Sequence, residues 1–209
     1  MTDHAHIDLS ERPEPLLLVW PVPGNPAALV QFDTAADWRG FIDGLAIDAR
    51  IPQIVRAKWG RAQTLYLLGW IDFSLIKAGE LAALIALELA LVDRYGGLIP
   101  TRKRSFATLL TYMVEADGLT DADIPVIVRC GGTAIGHLTG NVRPSLAERR
   151  NALAHGDPFE GLPASGLLEL ARDLISFAYR HYIAEAESVG IVQGSAPMET
   201  TPPIVADAQ

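Results

Sequence analysis

An all-α fold, a helical bundle with a small β-hairpin at its N-terminal end, is what this sequence predicts, on three observations. Apolar residues recur at three-to-four spacing from about residue 52 to residue 188, the period of helices with one buried face. Alanine and leucine, both strong helix formers, supply much of a composition that is 49% hydrophobic. Only residues 16–32 break the pattern, with two short apolar runs around a Pro/Gly/Asn turn, the signature of a hairpin.

The opening residues, MTDHAHIDLSERPEP, are acidic and aperiodic, which favours disorder over the first dozen or so, and they lack the basic-then-apolar layout of a signal peptide. Leu16–Trp20 and Ala28–Phe32 form the hairpin, and prolines at 21, 23 and 26 suit a sheet edge. Asp33 or Thr34 caps a helix with Trp38, Phe41, Ile42 and Leu45 on one face. Residues 1–51 are thus a leader with hairpin and helix, 52–189 the bundle, and 190–209 a disordered tail. The bundle begins near Pro52. Asp72 caps its second helix, which ends in a left-handed stop at Gly96-Gly97. Within it LAALIALELALV, residues 81–92, is apolar on every side and is expected to be the central, most buried helix. A third helix ends at Gly118, and the Gly- and Pro-rich 119–144 segment holds short helical pieces. Ser145 and Glu148 form a capping box for a short helix that stops at Gly156, and a last helix runs from about 163 to 188.

Composition narrows the function. A chain of 209 residues suits one domain. Its single cysteine, Cys130, excludes an internal disulfide and a cysteine metal cluster, and fits a reducing cytoplasm. The 12-residue apolar run 81–92 is well short of the roughly 20 residues that a membrane span requires. The net charge of −8 argues against a nucleic-acid partner, but its distribution does not. The first 15 residues hold four acids and one arginine, the last 20 hold two acids and no base, and the remainder carries 19 acids and 16 bases.

The stretch ERRNALAHGDPF, residues 148–159, gathers the reactive side chains. Asn151 and His155 are four apart and share a helical face. His155 falls in the last turn, where free carbonyls and the helix dipole favour a positive charge, and an imidazole titrates near neutrality. Arg150 offers a forked set of donors suited to phosphate oxygens. Asn151 can orient the imidazole or hold a ligand oxygen. Cation, amide and imidazole together are what metal-free phosphodiester chemistry requires.

Arg150-Asn151-Ala-Leu-Ala-His155 resembles the motif of the HEPN superfamily, in which arginine is followed by four to six residues and then histidine, commonly with asparagine directly after the arginine. The helical bundle, the motif near its C-terminal end and the further helix after it agree with that resemblance, which covers roughly residues 52–188 and leaves the hairpin outside. It implies a HEPN-like bundle acting as a metal-independent endoribonuclease with a composite active site at a homodimer interface. The RNA 2′-hydroxyl would attack the adjacent phosphate to leave a 2′,3′-cyclic phosphate. Arg150 would stabilise the charge on the phosphorane, Asn151 would stand beside it, and His155 would act as general acid or base. No metal or cofactor is implied. The partners implied are RNA or a nucleotide, a second copy of the chain, and a cognate antitoxin or regulatory partner, with a role in defence and no membrane. In one toxin–antitoxin branch a tyrosine two positions after the histidine is modified by a partner nucleotidyltransferase; Asp157 stands there in this chain, which departs from that pattern. A second function stays open, a non-catalytic HEPN-like module that dimerises or binds a nucleotide or partner.

Two residues support the motif. Glu88 is the sole charge within residues 81–92, and a buried carboxylate needs a partner or a proton. Arg149 or Arg150 across the bundle is the expected partner, with a partly exposed Glu88 paired to some other base as the alternative. His4 and His6 form a poor metal site in the leader. His137 lies in a Gly-rich loop, GGTAIGHLTG lacks the lysine and spacing of a phosphate loop, His181 suits core or solvent, and TRKR at 101–104 reads as a solvated turn that could touch RNA phosphates.

Overall fold

A computed structural model describes residues 7–10, 12–156 and 163–194, with side chains of the last helix described to residue 186. The chain runs from two strands, β1 (Leu16–Val22) and β2 (Asn25–Phe32), into α1 (Ala35–Asp43), α2 (Gln53–Leu68) and α3 (Ser74–Tyr95). It continues through α4 (Phe106–Glu115), α5 (Pro125–Cys130), α6 (Ile135–Thr139), α7 (Leu146–Ala154) and α8 (Leu167–Gly194). Helix dominates, as composition and periodicity predict, and among the described residues no helix is long and apolar enough to cross a membrane.

The strands pair antiparallel, with Leu16 opposite Phe32 and Trp20 opposite Ala28, and the register slips between Trp20 and Val22, where Pro21 has no N–H to give to the ladder. Period-two alternation turns Leu16, Leu18 and Trp20 inward, and they join the same core as the helices. Leu9, Ser10 and Arg12, which the sequence assigns to a disordered leader, are instead tied down. Leu9 is buried, the Trp70 indole donates to the Ser10 carbonyl at 2.7 Å, and Arg12 donates to the Trp70 carbonyl at 2.6 Å. Trp70 is fully buried and its N–H must find an acceptor; the leader provides it.

Thr34, one of the two caps expected, holds the start of α1 by accepting from the Asp37 N–H. α2 and α3 lie against each other and approach closely at Gly79, where a Cβ would fall 2.5 Å from the Tyr66 ring. The capping position of α3 falls on Phe73, with no side-chain cap, and not on Asp72; Asp72, one residue earlier, accepts from the Ser74 N–H at 3.0 Å. The far end differs. Gly96 stays right-handed, with φ −59° and ψ −31°, and no left-handed glycine follows until Gly118. Gly96 is needed there for close approach, because a Cβ would meet the Val92 carbonyl oxygen at 2.2 Å.

Residues 81–92 are not the most buried stretch. Ile85 is 40% exposed, and Leu81, Leu89 and Val92 on the same face are half-buried. α2, α4, α7 and α8 surround the rest of α3 and leave this stripe open. α8 is more deeply packed over its first half, with Leu168, Leu174, Ile175 and Tyr179 fully enclosed. It also starts later and runs further than the sequence indicates, because Gly166 takes φ +67° and holds Pro163–Gly166 out of the helix.

Polar groups fix α8 to the bundle. Glu169, 3% exposed, accepts from Arg129 at 2.8 and 2.9 Å, from Arg172 at 3.1 Å and from the Trp20 indole at 3.2 Å. Asp173 accepts from the Val126 N–H at 2.8 Å, and Tyr179 donates to Asp93 at 2.6 Å. At the lead-in, Glu80 of α3 accepts from the Ala164 N–H, with Lys77 at 3.8 Å. Glu80 is wholly buried. Burial pushes its carboxyl up to about 7, against the Ala164 N–H, Lys77 and Arg149, which favour the charge. A carboxyl raised in the fold above its ordinary 4.5 contributes most at low pH and loses that contribution as pH rises through the 4.5-to-7 window. Wild type is therefore expected to lose about 2 to 3 kcal/mol between pH 5 and pH 8 relative to Glu80→Gln. Denaturant titrations of both proteins at the two pH values check this; parallel pH profiles would refute it.

Candidate functional site

The local sequence dictates α7. The Ser145 hydroxyl accepts from the Glu148 N–H at 3.1 Å and the Glu148 carboxylate accepts from the Ser145 N–H at 2.9 Å, the expected reciprocal cap. At the other end His155 is the capping residue, with φ −100° and ψ 10°. Its N–H donates to the Asn151 and Ala152 carbonyls at 3.0 and 3.1 Å. Gly156 then takes φ +94°, a conformation that costs glycine nothing.

Helical spacing sorts the motif onto faces. Leu146, Arg150 and Leu153 fall on one side, and both leucines are buried, so Arg150 projects inward over α3. There Glu88 meets it. Nε of Arg150 donates to Oε2 at 3.0 Å, and Nη2 donates to the same oxygen. The pair is partly open, with side chains 29% and 25% exposed. Glu88 thus faces a partly solvated edge and not a sealed core, and of its two expected partners it takes Arg150. Nη1 of Arg150 donates to the Asn151 Oδ1 at 2.9 Å. A guanidinium has five N–H donors; these bonds leave one on each Nη uncommitted among the described residues, enough for a two-point contact with a phosphate.

Asn151 and His155 lie on the adjoining face, both exposed. The Asn151 oxygen is turned to Arg150, so among the described residues it orients the guanidinium, and the imidazole is left free. Arg150, Asn151 and His155 therefore share one open edge of the molecule. Arg149 does not. It projects on the opposite side of α7, half-buried, and lines a cavity with His137, Leu146 and Leu170.

The remaining candidates stand apart. Arg102 and Lys103 are exposed in a 3-10 turn before α4, and Arg104 donates to the Ile99 carbonyl at 3.2 Å. His181 is exposed. His4, His6 and Asp157 lie outside the described residues. Among the described residues no three His, Cys, Asp or Glu side chains converge as metal ligands. The Lys77–Glu80 spacing was a signal that could have found Glu80, but nothing marked Arg129 and Glu169, which meet across 40 positions.

Comparison with protein-family models, with curated proteins and with solved structures finds no match to the chain, so a function can be argued only from the chemistry of these residues.

Proposed function

We propose that the chain is a metal-independent, HEPN-like endoribonuclease whose active site is completed by a second copy. The observation that carries this reading is the open edge of α7, where an arginine oriented by Glu88 and Asn151 stands on the helix that ends at an exposed histidine whose imidazole has no hydrogen bond to a described residue. In this mechanism the two uncommitted N–H groups of Arg150 bind the scissile phosphate and stabilise the charge that grows on its oxygens. An imidazole removes the proton of the 2′-hydroxyl as that oxygen attacks phosphorus. The P–O5′ bond breaks, the 5′-oxygen takes up a proton, and a 2′,3′-cyclic phosphate remains.

One imidazole serves poorly as both base and acid in a single displacement, and a two-fold axis beside α7 provides two. The half-exposed apolar stripe of α3, Leu81, Ile85, Leu89 and Val92, supports pairing on this side, because it runs along the helix that holds Glu88. The second reading, a non-catalytic HEPN-like module that dimerises or holds a nucleotide, draws on the same ion pair as a purely structural tie. Incubation of the purified protein with mixed RNA in EDTA separates the two: 2′,3′-cyclic phosphate ends support the nuclease, and intact RNA refutes it. Heterodimers of wild type and His155→Ala are expected to keep well under half of the activity. Half or more would refute the shared site.

A further inference from the structure

We infer that the cavity on the Arg149 side of α7 is a binding site for a small apolar molecule carrying one anionic group. It lies between α5, α6, the start of α7, the lead-in to α8 and the hairpin prolines, with a volume of about 210 Å³. That is below the range of about 300 Å³ upward that holds drug-sized ligands, so the occupant is small. Its walls are mainly apolar, with Pro21, Val126, Ile127, Leu146, Leu167 and Leu170 among them. A molecule with an exposed hydrocarbon body gains by entering.

The charge balance around the cavity selects an anion. Asp121 accepts from Thr133 and from the Ala134 N–H at 2.6 and 2.7 Å. Glu148 is held by Ser145 and Arg143, Glu169 by Arg129 and Arg172, and Asp173 by Arg172. Arg149 alone among these cations has no hydrogen bond or ion pair to a described residue. Its charge is felt by Glu80, whose Oε1 accepts from the Ala164 N–H and whose Oε2 faces Lys77 at 3.8 Å without a hydrogen bond to a described residue. Arg149 is half-buried as a residue, its guanidinium donors are not used by the described residues, and a carboxylate matches their fork. His137 stands on the same wall. Its Nδ1 lies 3.0 Å from the Pro144 carbonyl, which can only accept, so Nδ1 donates there and Arg149 is the group that anchors the anion. A shallower concavity of Arg143, Pro144, Glu148, Arg149 and Ala152 shares Pro144 and Arg149 with the cavity, which gives a route to solvent past the charge.

Phenylacetate, 2-phenylethanol and phenethylamine share one body and differ in charge. Isothermal titration is expected to show phenylacetate binding at least tenfold more tightly than the other two. Arg149→Leu is expected to remove that preference while leaving the weak binding of 2-phenylethanol, and Ile127→Trp, which fills the cavity, to remove both. Circular dichroism confirms that the variants are folded, and Arg149→Gln serves if the leucine variant is not. No phenylacetate preference, or a preference that survives loss of the Arg149 charge, overturns the inference. RNA cleavage plays no part in the measurement, so its outcome is independent of the nuclease reading.

Discussion

His155→Ala is expected to lower RNA cleavage by about 10² to 10⁴, the usual contribution of a general acid or base, with thermal stability unchanged. The side chain is exposed and has no hydrogen bond to a described residue, so truncation leaves nothing unpaired. Its backbone N–H, which caps α7, is kept. Arg150→Ala is expected to abolish cleavage too, but with a stability cost, because it strands Glu88. Glu88→Ala reverses the emphasis: the guanidinium loses its anchor, and cleavage falls through disorder of Arg150 while its charge is retained. Rates measured in EDTA beside melting curves check all three. A fully active His155→Ala protein would remove the histidine from the mechanism.

The α7 edge was legible in the sequence because the helix that carries it is built locally. Ser145 and Glu148 cap a helix that Gly156 ends, and a nine-residue helix fixes which side chains share a face. Glu88 could be picked out as the one charge in an apolar run, but choosing Arg150 over Arg149 as its partner takes knowledge of which face meets α3. The exposure of Ile85 was hidden for a related reason. Apolar residues all round a helix predict burial all round, and only the placement of its neighbours shows a face left open. The leader misled in the other direction: its composition is that of a disordered segment, yet one buried indole N–H at Trp70 needs the Ser10 carbonyl.

Glu169→Ala is expected to produce a large loss of stability, about 2 to 3 kcal/mol, below the usual cost of breaking a fully buried ion pair because Arg129 is 44% exposed and stays solvated. The loss arises from what remains. Arg129, Arg172 and the Trp20 indole all lose an acceptor, and the tie between the hairpin, α5 and α8 goes with it. Glu169→Gln keeps the shape but meets a guanidinium with an amide, so an intermediate loss is expected. Urea denaturation of the three proteins checks the order; a loss under about 1 kcal/mol for the alanine variant would mean the network is solvated.

α3 also acts as a measuring rod. Glu80, Glu88 and Asp93 reach three different parts of the chain, namely the Ala164 N–H, Arg150 and the Tyr179 hydroxyl. Their separations along the axis are fixed by a rise of about 1.5 Å per residue. One residue inserted after Glu80 would turn Glu88 and Asp93 by about 100° relative to it and release the guanidinium and the phenol together. One residue inserted between Gly97 and Thr101 disturbs none of these contacts. Length variation among descendants of this chain should therefore collect in the loops, and α3 should tolerate changes of side chain far better than changes of length.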